Sequence, residues 1–333
     1  MRSRTADAVL HRVPSGDVGH ACRTLASAGE TGLLRSIVRT LGEDARSKPW
    51  VVLGPGDDAA AVRLRPGEVL VASQDDLVEG THFERPWMEP RRLAARLFGV
   101  GLSDLAAMGR VRPLGVLITA CLPQKLPLDW FLGFLRGVRT AAARHKAPVL
   151  GGNLARSQRV HLSIGVLGAA DPRRLVRRDG ARPGDLLCGA GPLGEAAAGL
   201  EMMREGCPTG PLVRRFWDPE PLFGAGARLE GLATAMLDNS DGLLRSCRIL
   251  AEESGVGLRL DLSRAPASRA LRRFCRERGL DLRRHQLVSA EDYGLVFTVP
   301  AGTRLWPEAY PLGEVVRKGR GDALTGSPFE HFA

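Results

Sequence analysis

The stretch DPRRLVRRDGARPGD, residues 171–185, divides the chain. It is dense in charge and turn formers and directly follows an apolar run at 160–169. On both sides short apolar runs alternate with segments of helical period, so the stretch reads as a boundary between two α/β halves. Upstream, Leu33, Leu34, Ile37, Val38 and Leu41 recur at helical spacing and predict a helix over 30–41. Strands are expected at 50–53 and 69–73, a helix over 91–108, a strand at 113–122, a helix over 128–144, and strands at 149–151 and 160–169. Downstream the pattern predicts a strand at 186–189 and helices over 193–204, 222–237 and 239–254. A strand at 257–262, a helix over 268–278 and strands near 295–299 and 313–316 complete it. Such alternation argues an α/β (α+β) protein of two domains. The expected division is a poorly ordered leader over 1–28, an N-terminal domain over 29–168 and a C-terminal α/β domain over 169–333.

A chain of 333 residues is long enough to give each domain its own core. No stretch approaches the ~20 apolar residues of a membrane helix. The N-terminus has no apolar core of the kind a signal peptide needs, so a cytoplasmic protein is expected. Six cysteines, at 22, 121, 188, 207, 247 and 275, are scattered without a C-x-x-C. They read as reduced thiols rather than a disulfide frame or zinc site. The net charge of +10 is carried almost wholly by Arg, and Lys occurs only at 48, 125, 146 and 318. Few aromatic residues are interleaved to stack on bases, so nucleic acid is not the favoured partner.

The sequence contains no G-x-x-x-x-G-K-[ST], G-x-S-x-G or H-E-x-x-H motif. A G-x-G-x-x-G does occur at Gly189, Gly191 and Gly194. Pro192 follows its second glycine, and no strand ending in an acid lies about 20 residues on, as a dinucleotide site requires. It reads as a glycine turn that packs a helix against a sheet.

Acids recur at element boundaries. Asp57 and Asp58 lie in GPGDDAAAVRL (54–64), and Asp75 and Asp76 follow VLVAS. Asp104 lies in GLSDLAAMG, Asp238 and Asp241 in MLDNSDGLL, and Glu291 and Asp292 in SAEDYGL. Singly, most are accounted for as turn acids, with Ser240 or Asp241 as the cap of a following helix. Asp104, on an apolar helix face, must be paired or coordinate something, because burying it alone is costly. Together the five clusters suit Mg²⁺, a hard cation that bridges a few carboxylates to phosphate oxygens. That combination suggests a Mg²⁺-nucleotide site built without a P-loop.

The runs GPGDDAA, SQDDLVEGTHF, GLSDLAAMG, GGN, RRDGARPGD, DNSDGLL and SAEDYGLVFTVP resemble, in order and spacing, the thiamine-monophosphate kinase family of the aminoimidazole-ribonucleotide-synthetase-like superfamily. His82-Phe83 and the terminal FEHF point to the kinase among its relatives. The resemblance implies a two-domain synthetase-like fold, with an N-terminal mixed sheet forming a barrel across a homodimer and a C-terminal α/β domain. It also implies ATP-dependent phosphorylation of thiamine monophosphate to thiamine diphosphate, assisted by several Mg²⁺ ions. Carried over by position, Asp58, Ser73, Gln74, Asp75, Asp104, Asn153, Asp238 and Asp241 would lie at the metals. Asp75, Asp104, Asp238 and Arg178 would be catalytic. Gly152, Asn153, Arg178 and Ser240 would meet ATP, and His82, Glu291 and Phe329 the substrate. Asn153 stands where the family has Asp, Gln74 where it has Thr, Ser289-Ala290 where it has a Gly pair, and Gly294 where it has Glu. Two other readings stay open: a superfamily enzyme with another small substrate, and a nucleotide-binding paralogue with weakened turnover.

Overall fold

In the computed structural model, which describes residues 23–319, the N-terminal half is built from α1 (Leu25–Arg46), β1 (Val51–Leu53), β2 (Ala61–Val62), β3 (Val69–Val78), α2 (Pro90–Ala106), β4 (Arg112–Leu122), α3 (Leu128–His145), β5 (Val149–Arg156) and β6 (His161–Ala170). Four of its strands form a sheet in the order β3–β6–β4–β5. β6 runs antiparallel to both β3 and β4, whereas β4 and β5 are parallel, with α3 as the crossover between them. This is the expected mixed sheet. β1 and β2 form a separate two-stranded ribbon.

The C-terminal half contains β7 (Leu186–Ala190), α4 (Glu195–Arg204), α5 (Pro211–Trp217), α6 (Phe223–Leu229), β8 (Ala235–Asn239), α7 (Leu243–Ser254), β9 (Gly257–Leu260), α8 (Arg269–Glu277), α9 (Leu282–Val288), β10 (Gly294–Val299) and β11 (Ala309–Val316). Its sheet has the order β8–β10–β7–β11–β9, antiparallel throughout. Among the described residues no helix is long and apolar enough to cross a membrane.

Most expected helices and strands are present, with three corrections to their bounds, while β2, α5 and α9 stand where the pattern predicts no element. The helix expected over 222–237 ends at Leu229, and Ala235–Asn239 is instead a wholly buried strand at the edge of the C-terminal sheet. The helix expected over 239–254 begins only at Leu243. A five-residue strand, AMLDN, is too short to show a period of its own, so the pattern merges it with its helical neighbours. At the other end, α1 begins at Leu25, inside the expected leader. Thr24 and Ser27 cap it reciprocally, and Gly29, at φ 66°, kinks it just before the predicted start. The rest of the expected leader, 1–22, lies outside the described residues.

α2 is the element both halves share. Nearly all of it from Leu93 to Ala106 is buried. One flank packs on Leu162, Ile164 and Val166 of β6, and its C-terminal end meets α6 and β8 of the other domain. The fit at α6 is tight, since a Cβ on Gly226 would come within 2.1 Å of the Ala106 carbonyl oxygen, while one on Gly224 would meet nothing within 4 Å. Gly226→Ala is therefore expected to destabilise the protein by about 1–3 kcal/mol through overpacking. Gly224→Ala, in the same helix, should be neutral or gain up to about 1 kcal/mol from helix propensity. Thermal unfolding of the two variants checks this, and equal melting temperatures would mean that the domain junction yields freely.

Candidate active site

Strand alternation decides which acids can meet. In β3, Ser73, Asp75 and Leu77 pair with Val166, Ile164 and Leu162, which point their side chains at α2. From that face the Ser73 hydroxyl donates to Asp104 Oδ2 on α2. One residue earlier on the helix, Ser103 donates to Asp238 Oδ2 at 2.9 Å, reaching β8 of the C-terminal domain. Asp238 is followed by a loop whose Ser240 hydroxyl lies 3.5 Å from Asp238 Oδ1. Three elements from two domains thus bring three carboxylates together.

Burial pushes Asp75 up to about 7, and the negative charges of Asp104, Asp238, Glu291 and Asp76 add to it. Burial raises Asp104 as well, against the Ser73 hydrogen bond and Arg178. The fully buried Asp238 rises for the same reason, reinforced by Asp104 and opposed by Ser103 and Arg178. Arg178 is an exposed cation on the interdomain segment. That segment is stitched to both domains, Val176 N–H to Met108 O at 3.1 Å and Met236 N–H to Arg177 O at 2.8 Å. Arg178 lines a cavity of about 400 Å³ together with Ser73, Asp104, Met108 and Leu237.

Glu291 approaches the same cluster from the loop before β10. Its carboxylate pairs with Arg96 of α2 and accepts from the Tyr293 hydroxyl at 3.1 Å. Asp241 sits beyond Ser240 and pairs with Arg245 at 3.0 Å. Neither Ser240 nor Asp241 caps α7; Gly242, at φ 96°, occupies that position. The free amides of that helix therefore begin two residues later than the sequence suggested.

Other expected site residues lie elsewhere. Gln74 points to the opposite sheet face from Ser73 and Asp75, where its amide donates to Ser163 at 3.1 Å. Asp58, Gly152 and Asn153 line a second cavity, of about 510 Å³, between α1, α3 and the sheet. Asp57 and Asp58 stand exposed at it, with the Asp58 amide bonded to Asp57 Oδ1 at 2.9 Å. His82 lies in the turn after β3, where its Nδ1 accepts from Val78 N–H at 3.1 Å. Phe329 lies outside the described residues.

The G-x-G-x-x-G segment is a structural turn, as expected. Gly191 and Gly194 both take positive φ, and the amides of Gly194 and Ala196 at the start of α4 donate to the Asp292 carboxylate. The helix end that would bind a pyrophosphate is filled by the protein's own acid. Sequence reasoning missed Arg96, Ser103 and Tyr293. Arg96 was detectable by the logic that found Asp104, because those two are the only charged residues between Leu93 and Met108.

The chain is similar to known proteins over most of its length. The model of the AIR synthase related protein N-terminal domain matches residues 56–170, and that of the AIR synthase related protein C-terminal domain matches 182–324. The thiamine-monophosphate kinase of Aquifex aeolicus is 32% identical over 313 residues, covering 92% of this chain and 97% of that protein. The solved thiamine-monophosphate kinase of Stenotrophomonas maltophilia is 30% identical with a TM-score of 0.77, covering 85% of this chain and 93% of that one. A relative solved in complex with AMPPCP and TMP is also 30% identical, with a TM-score of 0.72, over 90% of this chain and 94% of that one. With this identity running through both domains, the chain belongs to the thiamine-monophosphate kinase family.

Proposed function

We propose that this chain transfers the terminal phosphoryl group of ATP to thiamine monophosphate, giving thiamine diphosphate, and that Mg²⁺ serves the reaction at the Asp75, Asp104 and Asp238 cluster. The observation that carries the proposal is the convergence of three carboxylates on one junction, Asp238 buried and Asp75 and Asp104 half-buried, with the exposed Arg177 and Arg178 lining the cavity beside them. Phosphoryl transfer is mostly positioning and charge neutralisation, so acids, cations and an Arg suffice. The donor set is all oxygen, which suits Mg²⁺. Among the described residues no three His, Cys, Asp or Glu groups are spaced to close on one ion. Each carboxylate would therefore hold its ion jointly with phosphate and water oxygens, the usual manner for Mg²⁺. When bound, the ions would neutralise the phosphate charge. Ser73 and Ser103 orient two of the acids, and Arg178, exposed on the interdomain segment, would approach the phosphates. All five described cysteines are free thiols, in keeping with a reducing cytoplasm.

The direct assay is chromatography of thiamine diphosphate after incubation with ATP, Mg²⁺ and thiamine monophosphate. Asp104→Asn should lower kcat by about 10²-fold or more, with the fold retained by circular dichroism. Absence of product from the native protein, with ATP still bound, would transfer the site to another substrate.

The same cluster makes stability depend on pH and Mg²⁺. Asp75 is raised in the folded state, so it stabilises the fold at low pH, and that contribution is lost as pH rises from the ordinary value of 3.8 through about 7. The Mg²⁺-free protein is expected to melt at lower temperature as pH goes from about 5 to about 8. Asp75→Asn should flatten this slope, and millimolar Mg²⁺ should raise the melting temperature most at the alkaline end. A slope unaltered by the substitution would show that Asp75 is solvated and uncoupled.

We also infer a homodimer. The face of the four-stranded sheet turned away from α2 exposes Leu70 and Leu117, 51% and 40% accessible. Exposed leucines on a sheet face that also carries Gln74 and Asp76 offer a mixed surface to a second copy. Leu117→Asp should shift the species measured by light scattering from dimer to monomer, and a native protein that is already monomeric would rule the dimer out.

A further inference from the structure

We propose that Arg96 is a positioning residue, which holds one oxygen of Glu291 so that the other is presented to the acceptor substrate; this rests on the kinase reading above. Arg96 is completely buried in α2, two turns before Asp104. Its guanidinium lies over the Phe216 ring, 3.9 Å from the centroid, and donates to the Phe216 carbonyl and to Glu291 Oε2. The Tyr293 hydroxyl donates to that same Oε2 at 3.1 Å. Among the described residues Oε1 takes no hydrogen bond, and the side chain remains 23% accessible. A buried cation must be paired, so the guanidinium fixes where Oε2 sits.

The loop is built to accept this hold. Glu291 and Tyr293 take φ of 73° and 52°, left-handed values that non-glycine residues adopt only when their surroundings demand it. The Glu291 amide donates to Ser240 O at 2.6 Å, and the Tyr293 amide to Asn239 O at 3.0 Å. These acceptors directly follow Asp238, so the turn that aims Glu291 is tied to the strand that carries the acid. The influence of Glu291 on Asp75 places its charge beside the cluster. Arg96 and Asp104 thus let one rigid helix set both an acid of the cluster and the carboxylate that faces it.

Steady-state kinetics of Arg96→Met, Arg96→Lys and Tyr293→Phe test this. Arg96→Met should raise KM for thiamine monophosphate about 10-fold or more while KM for ATP stays within about 2-fold, because only the acceptor side is disturbed. Arg96→Lys keeps the charge but not the two-pronged geometry and should recover part of the loss. Tyr293→Phe removes the second donor to Oε2 and should shift KM for thiamine monophosphate in the same direction by less; it serves also if Arg96→Met does not fold. Equal shifts in both KM values, or none for thiamine monophosphate in Arg96→Lys and Tyr293→Phe, would overturn the proposal. If the native protein makes no thiamine diphosphate, the kinase reading falls instead. Amide hydrogen exchange then decides for Arg96: faster exchange at residues 291 and 293, with β10 still protected, supports the hold on the loop, and unchanged exchange refutes it.

Discussion

The constraint on which the rest of the structure depends is the burial of like charges at a domain junction. Burial raises the affinity of Asp75, Asp104 and Asp238 for protons, Asp104 and Asp238 add to that of Asp75, and Asp104 adds to that of Asp238, so with all three ionised the fold is working against itself. The cluster survives because each acid is mounted on a different element, a strand, a helix and a strand of the second sheet. None can relax without moving its element. Ser73 and Ser103 then hold two of the acids by hydrogen bonds that their local backbones fix. Such a site stores unfavourable electrostatics that a cation can release, which is the physical link between this geometry and a reaction that handles polyphosphate.

The helix α2 bears that constraint because it is apolar nearly all round. Its small residues let the sheet and the second domain approach from opposite sides, so polar groups along it cannot escape to water. That is why Asp104 was conspicuous in the sequence, and why Arg96 should have been. Sequence periodicity captured the long, strongly patterned elements, α2 and α3 among them, since packing reinforces their intrinsic pattern. It failed at β8, a five-residue buried strand flanked by helical segments. The acid of MLDNSDG was legible as a motif while the strand carrying it was not.

Gln74 illustrates a different limit. Its neighbours Ser73 and Asp75 share one face of β3, and the period of two in a strand separates Gln74 from both. The stretch VLVASQDDLV does not alternate cleanly between apolar and polar, so the face of each residue becomes legible only once the register with β6 is known. Arg178 is singled out by the resemblance of RRDGARPGD, whereas its position depends on backbone bonds of Val176 and Arg177 to Met108 and Met236 that no local pattern announces.

The turn at 289–294 shows why departures from a family pattern need backbone geometry to be weighed. Ser289 and Ala290 replace a glycine pair, yet neither takes a positive φ; the left-handed residues are Glu291 and Tyr293. Glycine is thus not required where it was expected, and strain is carried where no glycine stands. Such strain costs about 1–3 kcal/mol per residue and persists only when neighbouring contacts over-determine it. Here the contacts divide between adjacent acids. Asp292 turns inward to the first amides of α4, while Glu291 turns outward to Arg96 and Tyr293. Gly294 completes the reversal, since a Cβ there would lie 2.6 Å from the Ala190 carbonyl oxygen. A glutamate at that position would force β10 away from β7. The Gly294 departure therefore fits this backbone, and it keeps the strained pair in register with the strand that carries Asp238.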